Sequence, residues 1–347
     1  MLAGFRRSSA PFTLATLNVR GISSTARQES LKRGLKSYKI NICCIQETKL
    51  SRGLDIVRDG YRLICFPPEC RHYSLGFVVS SGLSSNIQRY WQVSDRVAVL
   101  TLKLFENDSG GGNAKDTDSA KVGGKGELSI INVYAPASSR CLQSVDELDK
   151  FYDALSQAYD TVKSSTLLYI TGDFNAKAGT RKARETTIGS HGRGKRNIAG
   201  QLLLDFCECN NLFLANTSFQ HPARHITTWT GWRKDSQTQK VVPVYNQIDY
   251  VLCRSSQKRL LRNSRSYAGI ELTTDHRLVV AELDLSRLYG VLHGRQRTVT
   301  GPTSAPSVSA DKINVKKLAE SKEVQCQYQE AVTESLRSLD KETSCQK

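Results

Sequence analysis

Leu167-Leu168-Tyr169-Ile170-Thr171-Gly172-Asp173-Phe174-Asn175 is a short apolar run that ends in a glycine, an acid and an amide. A run of this length before Gly predicts a buried strand whose end is turned out of a sheet. Asp173 and Asn175 are two apart, so on extended backbone their side chains point the same way. An acid there can hold a proton or activate a water, and the amide can donate hydrogen bonds to a substrate oxygen. Taken alone the stretch reads as an ordinary turn, because Asp and Asn are common after strands.

Four other places match it. Phe12-Thr13-Leu14-Ala15-Thr16-Leu17 alternates into Asn18, with Arg20-Gly21 behind it. Ile40-Asn41-Ile42-Cys43-Cys44-Ile45 ends in Gln46-Glu47-Thr48. Gln247-Ile248-Asp249-Tyr250-Val251-Leu252 sets an acid beside an apolar strand, and Thr273-Thr274-Asp275-His276-Arg277 precedes Leu278-Val279-Val280-Ala281. A lone instance of any of these reads as a capped strand. Together they supply Asn18, Glu47, Asp173, Asn175, Asp249, Asp275 and His276, a set suited to hydrolysing a phosphoester with a hard divalent metal.

The motifs Leu-Asn-Val-Arg-Gly, Gln-Glu-Thr, Asn-Val-Tyr-Ala-Pro (132–136), Gly-Asp-Phe-Asn-Ala, Ile-Asp-Tyr and Asp-His stand in an order that resembles the endonuclease/exonuclease/phosphatase superfamily. More narrowly, the chain is similar to the apurinic-type endonuclease domain of RTE-type non-LTR retrotransposons and to the craniofacial development protein 2 group. The narrower likeness is carried by 192–217, Thr227-Thr228-Trp229 and Asn246-Gln247-Ile248-Asp249-Tyr250, within a resemblance running from about Phe12 to Leu285.

The resemblance implies an α/β fold, a four-layer α/β/β/α sandwich of two packed mixed sheets flanked by helices. It implies Mg²⁺, with Mn²⁺ as a substitute, held by Glu47 and Asp275 with Asn18 orienting the shell. Asp173 would activate or align water, and Asn175 would donate to a phosphate oxygen. Asp249 would fix the His276 tautomer, and Tyr134 would donate to the phosphate or to Asp173. Thr274 stands where many members have Ser, and the hydroxyl is retained. Trp229 is expected in the core rather than as a base-stacking platform.

A net charge of +16 over 347 residues favours polyanionic partners. The loop after Asn175 concentrates it in Lys177, Arg181, Lys182, Arg184, Arg193, Lys195 and Arg196, against Glu185 alone. A solvated loop is the plain alternative. Beside a catalytic motif, contact with DNA phosphates is expected from Lys177, Arg181, Lys182, Arg193, Lys195 and Arg196, with little sequence information. Ten cysteines at irregular spacing, with no Cys-x-x-Cys pair, fit reduced thiols rather than zinc or a disulfide framework. No apolar run approaches the ~20 residues of a membrane helix. An intracellular monomer, nuclear or cytoplasmic and not secreted, is expected.

Strands are predicted at 12–17, 40–46, 61–66, 76–80, 97–104, 128–134, 166–171, 212–216, 248–253 and 278–284, and helices at 26–38, 145–163 and 200–210. These divide the chain into an extension (1–11), one catalytic domain (12–285) with a flexible insertion (106–127), and a polar linker and helical tail (286–347). The expected activity is metal-dependent DNA nicking of the retrotransposon type. The alternatives are an inositol phosphate or other small-molecule phosphoesterase, and a domesticated nucleic-acid-binding protein that does not cut.

Overall fold

Every residue of Phe12-Thr13-Leu14-Ala15-Thr16-Leu17-Asn18 is buried, as a strand covered on both faces must be. In the computed structural model, which describes residues 11–67, 73–104, 126–137, 145–235 and 238–284, this stretch is β1 (Phe12–Asn18). It lies inside a seven-stranded sheet, parallel to β2 (Ile42–Gln46) and antiparallel to β15 (Leu278–Leu283). The sheet continues from β2 through β5 (Leu75–Ser80) and β4 (Tyr61–Cys65) to β3 (Leu54–Arg58), and beyond β15 it ends at β14 (Leu261–Tyr267).

A six-stranded sheet runs β10 (Leu212–Leu214), β13 (Asp249–Arg254), β9 (Leu167–Asp173), β8 (Glu127–Tyr134), β7 (Val97–Lys103), β6 (Ile87–Ser94). A separate ribbon pairs β11 (Trp229–Lys234) with β12 (Val241–Asn246). Parallel neighbours need a crossover. Helix α1 (Thr25–Ser37) supplies it between β1 and β2, and α2 (Val145–Asp160) between β8 and β9. Helix α3 (Ile198–Cys209) follows the loop after β9 and opens on the Asn197 side chain, which accepts from Gly200 N.

The inner faces of the two sheets share one core, with Leu14, Ile42 and Phe77 meeting Leu100, Ile130 and Tyr169. Leu31 and Leu35 of α1 cover the outer face of the first sheet against Leu17 and Cys43. Phe151 and Leu155 of α2, with Leu203 and Leu204 of α3, cover the outer face of the second. This is the expected α/β/β/α sandwich.

All ten expected strands are present, but β3, β6, β11, β12 and β14 were not expected. Three of these, β3, β6 and β14, form sheet edges, and β11 with β12 makes the ribbon. Such strands have fewer neighbours to bury against, so Leu-Arg-Asn-Ser-Arg-Ser-Tyr of β14 carries little apolar signal. The expected insertion needs one correction: Glu127 already belongs to β8, where it pairs with Lys103. Residues 106–125 of that insertion, the extension except Pro11, and the linker and tail lie outside the described residues. All six described cysteines are free, five of them buried. Among the described residues no helix is long and apolar enough to cross a membrane.

Candidate active site

Strand register gathers the motif residues at one end of the inner strands of both sheets. Asn18, the last residue of β1, is level with Gln46 of β2, so Glu47 emerges beside it. In the second sheet Tyr134, Asp173 and Asp249 lie level across β8, β9 and β13. His276 closes the group just ahead of β15 in the first sheet. Gly172 makes the β8–β9 approach possible, because a Cβ there would meet Val133 O at 1.9 Å. Glu47 takes φ of 53° and Asn175 takes 47°, left-handed conformations that cost a non-glycine residue roughly 1–2 kcal/mol each. Both turn their side chains out of the strand direction and toward the site.

The amide of Asn18 ties the two sheets together. Its Nδ2 donates to Glu47 Oε1 at 2.9 Å and to Asp173 Oδ2 at 3.0 Å. Tyr134 OH donates to Glu47 Oε1 at 2.9 Å, and Lys49 Nζ lies 3.1 Å from Glu47 Oε2. His276 sits between two acids, with Nδ1 3.1 Å from Asp249 Oδ1 and Nε2 3.7 Å from Asp173 Oδ2. Thr274 Oγ1 donates to Asn18 O at 2.8 Å, and His276 N donates back to Thr274 Oγ1 at 3.2 Å. Thr228 Oγ1 accepts from the N–H of Ile248 and of Asp249, which fixes the start of β13.

Burial, neighbouring charges and hydrogen bonds compete to set the protonation states. On its own burial would push the His276 pKa down, but the charges of Asp249 and Asp173 and the Asp249 hydrogen bond outweigh it and raise the value to about 9. Burial and the Asp249 charge hold Asp173 well above the usual carboxylate range, against the opposing pull of His276, Asn18 and the Asn175 N–H. Burial opposes ionisation of Glu47 as well, yet hydrogen bonds from Asn18, Lys49 and Tyr134 bring its pKa below normal. Tyr134 is raised by burial, then by Glu47 and Asp173, and keeps its proton.

Several side chains lie differently from the sequence expectation. Strand β9 ends at Asp173, so Asn175 does not follow its alternation. Instead Asn175 N donates to Asp173 Oδ1 at 2.9 Å, and its Nδ2 donates to Ala135 O at 2.9 Å. Tyr134 donates to Glu47 rather than to Asp173. Asp275 is held from the side, its Oδ2 accepting from Arg20 Nη1 at 2.8 Å and Trp229 Nε1 at 3.0 Å. Trp229 is therefore half-buried at the rim, neither core nor free platform. Sequence reasoning missed Arg20 and Trp229 as partners of Asp275, and no local signal announces them.

The basic loop divides. Arg181, Lys182 and Lys195 are exposed, and Lys177 and Arg193 are half-buried. Arg196 does not belong with them. Its guanidinium grips the Glu185 carboxylate through both terminal nitrogens, and its Nε donates to Ala178 O at 2.8 Å. With its side chain only 8% exposed, Arg196 is spent on the loop and is not free to meet phosphate. Among the other histidines, His221 pairs with Asn263 and His225 with Ser266 O, as structural residues do.

Craniofacial development protein 2 of Tragulus javanicus is 32% identical to this chain over 192 residues, 54% of this chain and 31% of that protein. The Bos taurus protein of the same name is also 32% identical over 192 residues, 54% of this chain and 30% of its own length. The chain thus spans about a third of the length of these curated relatives. The catalytic domain of Xenopus laevis APE2 superposes with a TM-score of 0.54 at 17% identity, covering 79% of this chain and 92% of that one. The 3′ phosphatase NExo from Neisseria, solved with a product DNA hairpin, gives 0.52 at 17% identity, covering 79% and 99%. At these identities the likeness is one of fold. The sequence profile of the Endonuclease/Exonuclease/phosphatase family matches residues 15–276, from within β1 to the imidazole at the site, and the chain belongs to that family.

Proposed function

We propose that this chain is a divalent-metal-dependent endonuclease that hydrolyses phosphodiester bonds in DNA, one strand at a time. The observation that carries the proposal is His276 set between Asp249 on Nδ1 and Asp173 on Nε2, with Asn18 joining Asp173 to Glu47. Such a group holds a proton on one side of a phosphate and a proton acceptor on the other.

Glu47 and Asp275, with Asn18 alongside, would hold the cation. Their hard oxygens suit Mg²⁺ or Mn²⁺, and Asp275 Oδ1 is buried with no hydrogen-bond partner, which a cation would satisfy. Asp173, Asp249 and His276 also lie close enough together to bind an ion. That trio suits it less, because a raised His276 pKa keeps both imidazole nitrogens protonated. When bound, the cation supplies charge neutralisation at the phosphate and stabilises the leaving alkoxide.

The remaining work falls to the chain itself. Asp249 orients the ring, and His276 presents its Nε2 proton to the phosphate. Asp173, with its raised pKa, takes the proton of the attacking water. Asn18 keeps Asp173 and Glu47 in fixed relation, and Tyr134 keeps its proton to hold Glu47. The second amide hydrogen of Asn175 remains for a substrate oxygen. Lys177, Arg181, Lys182, Arg193 and Lys195 meet the DNA backbone. A reducing location inside the cell, nucleus or cytoplasm, goes with this proposal and with the free thiols.

Supercoiled plasmid incubated with Mg²⁺ or Mn²⁺, with an EDTA control, tests the proposal. Relaxed circles should form with the parent and not with Glu47→Ala or His276→Ala. Intact plasmid alongside hydrolysis of inositol phosphates would refute DNA as substrate. Undiminished nicking by both variants would refute the site.

A further inference from the structure

Glu185 is the one acid between Lys177 and Arg196, and the Arg196 clasp consumes its charge. The same clasp folds the loop back, and Arg181 Nε donates to Glu185 O at 2.9 Å, which steadies the Arg181 guanidinium. Behind the loop is a cavity of about 290 Å³, lined by Arg181, Thr186, Ser190, Phe213, Ser218 and Lys258 among others. A second cavity of about 340 Å³ shares Arg181 and Ser190 and continues along Lys182 and Arg184. Among the described residues no acidic side chain lines either one.

Two features mark the first cavity as built for a ligand. The Lys258 ammonium stands 3.9 Å from the centre of the Phe213 ring, and that ring is itself buried at the β10 edge of the core. A ring fixed in this way holds the cation in place without neutralising it. Independently, the exposed side chains of Thr186 and Ser190 bring two hydroxyls to the same wall.

We propose that this cavity is a phosphate-binding subsite, distinct from the carboxylate–imidazole centre, that takes a phosphate ester of a DNA strand or of a free nucleotide. Arg181 and Lys258 supply the charge, and the hydroxyls of Thr186 and Ser190 supply neutral donors to the phosphate oxygens. The DNA strand is the favoured source, because the second cavity extends the cationic track past a single phosphate. The wall is also tied to the catalytic strand. Asn216, two residues before Ser218, donates to Asp249 O at 3.0 Å and accepts from Val251 N at 3.3 Å. The DNA arm rests on the endonuclease proposal, whereas the phosphate site does not.

Inorganic phosphate and a deoxynucleoside monophosphate, titrated separately into the full chain, test the site through amide shifts of Gly189, Ser190, Ser218 and Lys258. Saturable shifts should appear in the parent and in Lys36→Gln, a charge control on α1. They should weaken at least about fivefold in Lys258→Gln, less in Ser190→Ala, and return in Lys258→Arg, with duplex affinity falling five- to tenfold in Lys258→Gln and its salt slope dropping by about 0.9. Phosphate shifts without any change in DNA affinity would keep the site and assign it to free nucleotides. Absence of shifts with both small ligands would overturn it, whatever the nicking assay gives, since this readout needs no cleavage.

Discussion

His276 carries its proton inside the protein because Asp249 faces one ring nitrogen and Asp173 the other. Its pKa is raised to about 9, so in metal-free protein the imidazolium should persist through neutral pH and titrate near that value by nitrogen NMR. Asp249→Asn should bring the midpoint down toward the ordinary ~6.5 and cut nicking by about 10²-fold or more. A parent midpoint at or below ~6.5 would refute the arrangement. The sign for stability follows from the same shift. A folded-state pKa above the unfolded one gives stabilisation that is complete below about 6.5 and is lost as pH climbs through about 9. Urea midpoints should fall between about pH 6 and about pH 9.5 in the parent, and the fall should shrink in Asp249→Asn.

Elements position these residues, and two of them make separable predictions. Gly172 of β9 faces Val133 of β8 so closely that an added Cβ would lie 1.9 Å from the Val133 carbonyl oxygen. Gly172→Ala must push the strands apart next to Asp173, at a cost of about 1–3 kcal/mol, and should lower the denaturation midpoint and nicking together. An unchanged midpoint would mean that β8 and β9 do not pair in this register. In the loop before α3, Arg196 and its basic neighbours should behave as different kinds of residue. Neutralising Lys182 and Lys195 should weaken DNA binding at every sequence alike and reduce the salt slope by about 0.9 per lost contact. Arg196→Gln should loosen the loop, speeding hydrogen exchange at Lys182 and Glu185 and costing about 1.5–3 kcal/mol for its charged hydrogen bonds. Equal effects of all three on the salt slope would return Arg196 to the phosphate contacts.

The whole molecule depends on the two sheets staying in register, because each contributes half of the site. Asn132 of β8 reaches across the sandwich, its Nδ2 donating to Ile45 O and Gly76 O and its Oδ1 accepting from Gln46 Nε2 at 2.7 Å. Asn132→Ala would remove these three buried hydrogen bonds and leave the two carbonyls without their amide donor, while Gln46 Nε2 keeps its bond to Thr16 Oγ1. At about 0.5–1.5 kcal/mol per bond, a loss of at least about 1.5 kcal/mol is expected by urea denaturation. A loss under about 1 kcal/mol would show that water replaces the amide. Deleting 286–347 removes none of the proposed site and should leave the nicking turnover nearly unchanged. Loss of folding on that truncation would place the domain boundary further along the chain.

Periodicity and turn residues were enough to locate the ten inner or well-patterned strands and the three helices. A buried strand writes its environment into every residue, as Phe12–Asn18 does. The edge strands β3, β6 and β14 and the ribbon were not legible, because much of their surface meets solvent and their residues are correspondingly mixed. The edge strand β10, by contrast, is fully buried and was legible. At the site the chemical types stood in the sequence: Asn18, Glu47, Asp173, Asp249 and His276 each end or begin an apolar run. Their pairings did not. The Asn18–Asp173 bond joins residues 155 apart and the Arg20–Asp275 bond residues 255 apart, separations at which no local pattern constrains the partner. Whether a cation such as Arg196 faces water or clasps an acid is likewise decided by the path of the loop, since its identity and neighbours suit either. Local sequence fixes which groups are available and on which elements, and packing the two sheets fixes which of them meet.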